Sequence, residues 1–200
     1  MQFERCKGVR VVISRTVLNA VFDECDRYSD VETGGRLIGT YRQGRSLEIL
    51  VTGMIDAGPG AKRSRTSFFQ DGEYQEEVFR RIEREHSDIE HLGTWHSHHV
   101  NGLSVLSSGD VSTYERTVNH PQHNLDFWYA LLVTEKVQGR RRYLARHYLF
   151  RRSDPTAYEI PRQSQCWLMQ GLSPFTCSSR RWRKSSAFPT YTQAGPVCVC

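Results

Sequence analysis

Ile89-Glu90-His91-Leu92-Gly93-Thr94-Trp95 reads as a β-strand, and it runs directly into His96-Ser97-His98. On extended backbone, residues two apart project from the same face, so both imidazoles leave this strand on one side. Downstream, Ser108 to Asn119 carries the spacing of a short helix. Asp126 to Thr134 is an apolar run with the length of a buried strand, and Arg140 to Phe150 is a further strand.

The same alternation holds upstream. Gly8 to Ile13 is a strand, and Ser14 has the chemistry of an N-cap for a helix from Thr16 to Tyr28, with Val17, Leu18, Val21 and Phe22 on one face. Arg36 to Tyr41 and Ser46 to Met54 are strands joined by a turn at Gln43-Gly44-Arg45, a hairpin pattern. Ala57 to Asp71, containing Lys62-Arg63-Ser64-Arg65, reads as a long basic loop, and Glu73 to His86 as an amphipathic helix. Helices interleaved with strands in this way predict an α/β sandwich built on a mixed sheet flanked by helices.

The chain has 200 residues, enough for one domain with a sizeable core plus an appendage. We expect the domain to span residues 1–154 and the appendage residues 155–200, where periodicity fades into Ser, Pro, Thr, Arg and Gln. Charge divides along a similar line. The net charge is +5, but residues 161–200 hold five basic side chains and no acidic one, which leaves 22 basic and 22 acidic residues before them. A neutral globular part argues against nucleic-acid binding by its surface, and Arg180-Arg181-Trp182-Arg183-Lys184 is most simply a solvated segment. Cys6, Cys25, Cys166, Cys177, Cys198 and Cys200 form no Cys-x-x-Cys pair, which favours free thiols over a zinc ribbon or redox motif. No run has the length of a membrane span and the N-terminus has no signal-peptide apolar region, so a cytoplasmic protein is expected.

Chemistry concentrates at four residues. A catalytic zinc requires three protein ligands, an open position for water, and a nearby base that does not bind the metal. His96 and His98 supply two ligands and Asp110 is the candidate third. Ser107-Ser108-Gly109-Asp110 also has the form of a capping box, and both readings hold together because an acid in a first helical turn points at whatever faces that helix end. Glu32, ahead of Thr33-Gly34-Gly35, is the candidate base, although residue type alone would make it an ordinary glutamate beside a tight turn.

Glu32-Thr33-Gly34-Gly35-Arg36-Leu37-Ile38-Gly39, then Gly93-Thr94-Trp95-His96-Ser97-His98, then Ser107-x-x-Asp110, resembles the JAMM (JAB1/MPN/Mov34) zinc metallopeptidase motif, in detail its prokaryotic JAB-like branch. The similarity spans roughly residues 5–150. It implies a cytidine-deaminase-like fold (the JAB/MPN domain), one Zn2+ on His96, His98 and Asp110, Glu32 as general acid/base, and Ser107 as hydrogen-bond donor to the tetrahedral oxyanion. The implied activity is hydrolysis after the C-terminal Gly of a ubiquitin-like protein, as deconjugation or precursor processing, with E1- or E2-like proteins as further partners.

Two departures stand out. His99 occupies a position where the family usually has Pro, and eight residues rather than seven separate His98 from Ser107. The extra residue leaves Ser108 as an alternative oxyanion donor and His99 as a spare ligand or, more simply, a substrate-facing or exposed ring. Loops 57–72 and 99–107 are candidate lids, and Gly34, Gly35, Gly93 and Gly102 could allow a Gly-rich tail to approach closely. A non-catalytic JAB/MPN scaffold is the alternative function. A base deaminase is disfavoured, because that chemistry uses His-x-Glu with a Pro-Cys-x-x-Cys that this chain lacks.

Overall fold

Apolar residues alternate along the strand after Gly8, and the chain responds by burying Val9, Val11 and Ile13 on one side of Val9–Ser14. The computed structural model describes residues 4–5, 8–135 and 143–168. Glu4–Arg5 is β1 and Val9–Ser14 is β2, followed by helix α1 at Arg15–Arg27, whose N-cap Ser14 accepts from the Thr16 N–H. Gly34–Gln43 (β3) and Leu47–Ile55 (β4) form the expected antiparallel hairpin. The basic loop is not featureless, since Lys62–Arg63 (β5) and Phe68–Phe69 (β6) pair into a small separate hairpin. Helix α2 covers Gly72–Glu85 and β7 covers Glu90–Ser97; helix α3 then covers Ser108–Val118, and Phe127–Thr134 is β8. Leu144–Arg151 (β9), Asp154–Glu159 (β10), a 3-10 turn at Arg162–Ser164 and Gln165–Leu168 (β11) complete the described chain.

Among the described residues, nine strands make one mixed sheet in the order β1-β10-β9-β8-β7-β3-β4-β2-β11. Laid flat, nine strands would span roughly 38 Å at ~4.8 Å per neighbour. Yet Ile160 to Ser164, a link of ~18 Å at full stretch, joins β10 near one edge to β11 at the other. The sheet must therefore curl. Its interior strand β8 is buried on both faces: Tyr129, Leu131 and Val133 pack with Val17, Leu18 and Val21 of α1, whereas Trp128, Ala130 and Leu132 pack with Val111, Tyr114 and Val118 of α3. Helix α2 seals a third cluster through Val78, Phe79 and Ile82 against Ile38, Ile55 and Ile89. Each fully buried side chain of this size contributes about 1.5–3 kcal/mol.

The α/β mixed-sheet expectation is met. The boundary at residue 154 is not, because the sheet continues through β10 and β11 to Leu168. The period-two signal fails there for a local reason: pairing with β9 shifts register between Asp154 and Tyr158, and the exposed Pro155 lies in that interval. Among the described residues, Cys25 is buried and Cys166 half-buried. The basic segment at residues 180–184, together with Cys6, Cys177, Cys198 and Cys200, lies outside the described residues. Among those described, no helix is long and apolar enough to cross a membrane.

Candidate metal centre

Strand pairing decides where the histidines point. His96 lies opposite Leu132 in the parallel β7–β8 ladder, and Leu132 belongs to the face packed on α3. His96 therefore faces α3. His98, two residues on, keeps that side while its N–H donates to the Val133 carbonyl at 2.8 Å. Asp110 is the third residue of α3, brought against the pair by the helix start.

The three side chains converge. His96 Nε2 and His98 Nε2 are 3.1 Å apart, His96 Nε2 is 3.4 Å from Asp110 Oδ1, and His98 Nε2 is 3.3 Å from Asp110 Oδ2. One ligand atom from each lies within 4.8 Å of the others. The donor set fits a zinc ion, which takes imidazole nitrogen and carboxylate oxygen at ~2.0–2.2 Å.

The opposite ring nitrogens strengthen that fit. His98 Nδ1 meets the Val105 carbonyl at 3.1 Å, and a carbonyl can only accept, so the proton sits on Nδ1 and Nε2 keeps a free lone pair. His96 Nδ1 meets the Tyr114 hydroxyl at 2.9 Å, where burial raises the phenol pKa and keeps it neutral. Metal-binding histidines are oriented in this manner by their second nitrogen. At Asp110, burial would raise the pKa, but the neighbouring His96, His98 and Ser107 side chains hold it far below the ordinary carboxylate range.

Glu32 arrives from the far side of the chain. Ser97 and Thr33 form a clip, with Ser97 N donating to the Thr33 carbonyl at 2.9 Å and Thr33 N to Ser97 Oγ at 3.1 Å. Glu32 N in turn donates to the Ser64 carbonyl at 2.7 Å. The carboxylate is thereby placed with Oε1 3.9 Å from His98 Nε2. Its pKa is pushed up to about 7, chiefly by burial and further by Asp110, against the lowering pull of His98 and of a hydrogen bond from Asn101. The four residues open into a cleft of about 750 Å³, walled by Phe68, Phe69, Gln70, Asn101 and Leu103 from the two loops expected as lids.

A profile of prokaryotic homologs of the JAB domain matches residues 14–146. The chain belongs to this JAB family. A relative described as the probable metalloprotease y4qB of Sinorhizobium fredii is 32% identical over 87 residues, covering 43% of this chain and 52% of the relative. The chain thus matches about half the length of that relative. Among solved structures, the solution structure of protein DSY2949 from Desulfitobacterium hafniense superposes with a TM-score of 0.51 at 11% identity, covering 80% of this chain and 92% of that one. This likeness shows the fold alone.

Within the JAB chain, all five predicted site residues lie together. Ser107, not Ser108, lines the cleft. Its hydroxyl is engaged in the capping box, donating to Asp110 Oδ2 at 2.7 Å while accepting from Asp110 N at 3.2 Å. His99 lies outside the cluster of His96, His98 and Asp110 and does not line the cleft, so the expectation of a substrate-facing or exposed ring is not met. It is half-buried, edge-on to Tyr143 at 5.7 Å between ring centres.

Two glycines expected to admit substrate serve packing instead. A Cβ on Gly34 would fall 2.4 Å from the Trp95 carbonyl oxygen and 2.6 Å from the Phe68 ring, and one on Gly93, at φ +154, would fall 1.7 Å from the Tyr129 carbonyl oxygen. The basic loop is structural too. Arg63 lies 3.9 Å over the Tyr28 ring, 3.8 Å from buried Glu24, and donates to Thr33 Oγ1 at 3.2 Å. Sequence reading missed Asn101 and Tyr114. Tyr114 had a usable signal, because it sits one helical turn beyond Asp110 on the same face.

Proposed function

We propose that this JAB-family chain is a zinc-dependent peptidase that hydrolyses the peptide or isopeptide bond after the C-terminal Gly of a ubiquitin-like protein. The observation carrying this reading is the convergence of His96, His98 and Asp110 within 4.8 Å, with Glu32 at 3.9 Å from His98, inside one cleft. The probable-metalloprotease description of the Sinorhizobium relative supports it. E1- or E2-like proteins of the same pathway are the partners this reading implies.

When bound, zinc supplies a Lewis acid that lowers the pKa of water from about 15.7 to near 7. His96, His98 and Asp110 would hold it. Glu32 takes a proton from the attacking water as the C–O bond forms, then delivers that proton to the departing amine nitrogen as the C–N bond breaks. A carboxylate poised near neutrality suits both transfers. Ser107 Oγ supports the developing oxyanion once its hydrogen turns from Asp110, a contribution of about 3 kcal/mol for one such donor.

The test uses the zinc-loaded full chain and two probes: a tetrapeptide coumarin amide ending in Gly-Gly, and a ubiquitin-like protein fused through its terminal Gly to a reporter. Wild type cleaves, and Glu32→Gln retains zinc but loses about 100-fold or more in turnover. Cleavage surviving intact in Glu32→Gln, or no cleavage of either probe by wild type, contradicts the reading.

A further inference from the structure

The loop between His98 and Ser107 is one residue longer than the family pattern, and the structure shows what occupies that length. Asn101 N donates to the His98 carbonyl at 3.3 Å, and Gly102 takes φ +75, turning the chain back. Asn101 Oδ1 accepts from the Leu103 N–H at 2.9 Å. That contact fixes the orientation of the amide: the oxygen faces a donor, so the NH2 group must face the other way. It faces Glu32, with Nδ2 donating to Oε1. The loop is held from outside as well, because Arg65 Nη2 donates to the Val100 carbonyl at 3.3 Å and so joins the two lids.

We infer that Asn101 is a positioning residue for the general base: it donates to Oε1, the Glu32 oxygen 3.9 Å from His98 Nε2, and so fixes the carboxylate beside the histidine pair while its remaining lone pairs stay open to water. This deepens the proposed function and rests on it. The Asn101 side chain has two separable duties. Its oxygen builds the turn, and its NH2 group holds Glu32. Asp in its place keeps the first and loses the second. Ala loses both.

Asn101→Asp and Asn101→Ala are compared with wild type as zinc-loaded full chains on the Gly-Gly coumarin amide. Both variants keep one zinc by elemental analysis and lower kcat about tenfold or more, with KM within about twofold, as expected when a reacting group loses its orientation. A purely turn-forming role predicts wild-type kcat in Asn101→Asp, and that result overturns the inference. A second measurement does not depend on turnover. In amide NMR spectra, the Asn101 side-chain NH2 signal moves to the position of a free amide in Glu32→Ala, and an unmoved signal refutes the clamp. Should wild type cleave nothing, the proposed function fails while this signal still decides the clamp.

Discussion

The Val105 carbonyl decides which nitrogen His98 presents to the cleft, and the Tyr114 hydroxyl holds His96 by its opposite ring nitrogen. Of the two, Tyr114 can be altered without touching a ligand. Tyr114→Phe removes the hydroxyl that meets His96 Nδ1 while keeping the buried ring, which packs 5.3 Å from Phe150. We expect zinc affinity to fall about 10–100-fold, the usual cost of losing such a partner. A chelator-competition titration measures it, and an unchanged Kd would remove Tyr114 from the centre. Asn101 belongs to the same scale. Its contact with Glu32 crosses 69 positions of sequence, and nothing in the spacing of either residue announces it.

Helix α3 holds Asp110, the proposed third ligand, through its first turn. Ser107 N and Oγ both donate to Asp110 Oδ2 at 2.7 Å, so the capping box also aims the carboxylate at His98. Ser107→Ala should cost about 1 kcal/mol of stability, the typical value of a lost cap. Urea unfolding of the metal-free chain reads this directly, and a midpoint equal to wild type would show that the cap carries nothing. Legibility follows the same line. The His96-Ser97-His98 parity and the Ser107-x-x-Asp110 box are local patterns with one geometric consequence each, so both were readable. Strands β5, β6, β10 and β11 are two to six residues long, and β10 is irregular in register; short or broken periods leave too little pattern to detect. The packing roles of Gly34 and Gly93 depend on neighbouring strands that sequence does not place.

At the scale of the whole molecule, the curled sheet buries a titratable group on an interior strand. His147 on β9 is fully buried, with Nδ1 2.6 Å from the Tyr129 hydroxyl, and burial pushes its pKa down to about 3. An unfolded histidine takes up a proton near pH ~6.5. Between that pH and about 3, the unfolded chain therefore binds a proton that the folded chain refuses. Stability is fully present above pH ~6.5 and falls as the solution is acidified, by about 1.4 kcal/mol per pH unit from this group. His147→Asn keeps an acceptor for Tyr129 and should flatten the pH dependence of unfolding by that amount. An identical slope in both proteins would assign the acid sensitivity elsewhere.

Zinc uptake joins the three scales, because residue orientation, helix capping and strand pairing would all serve the one proposed ion. The full chain, stripped by chelator and titrated with zinc, should bind one equivalent. Uptake is lost in His96→Ala and Asp110→Ala and retained in Glu32→Gln. A wild-type chain that takes up no zinc, or a stoichiometry that survives His96→Ala unchanged, would contradict the account.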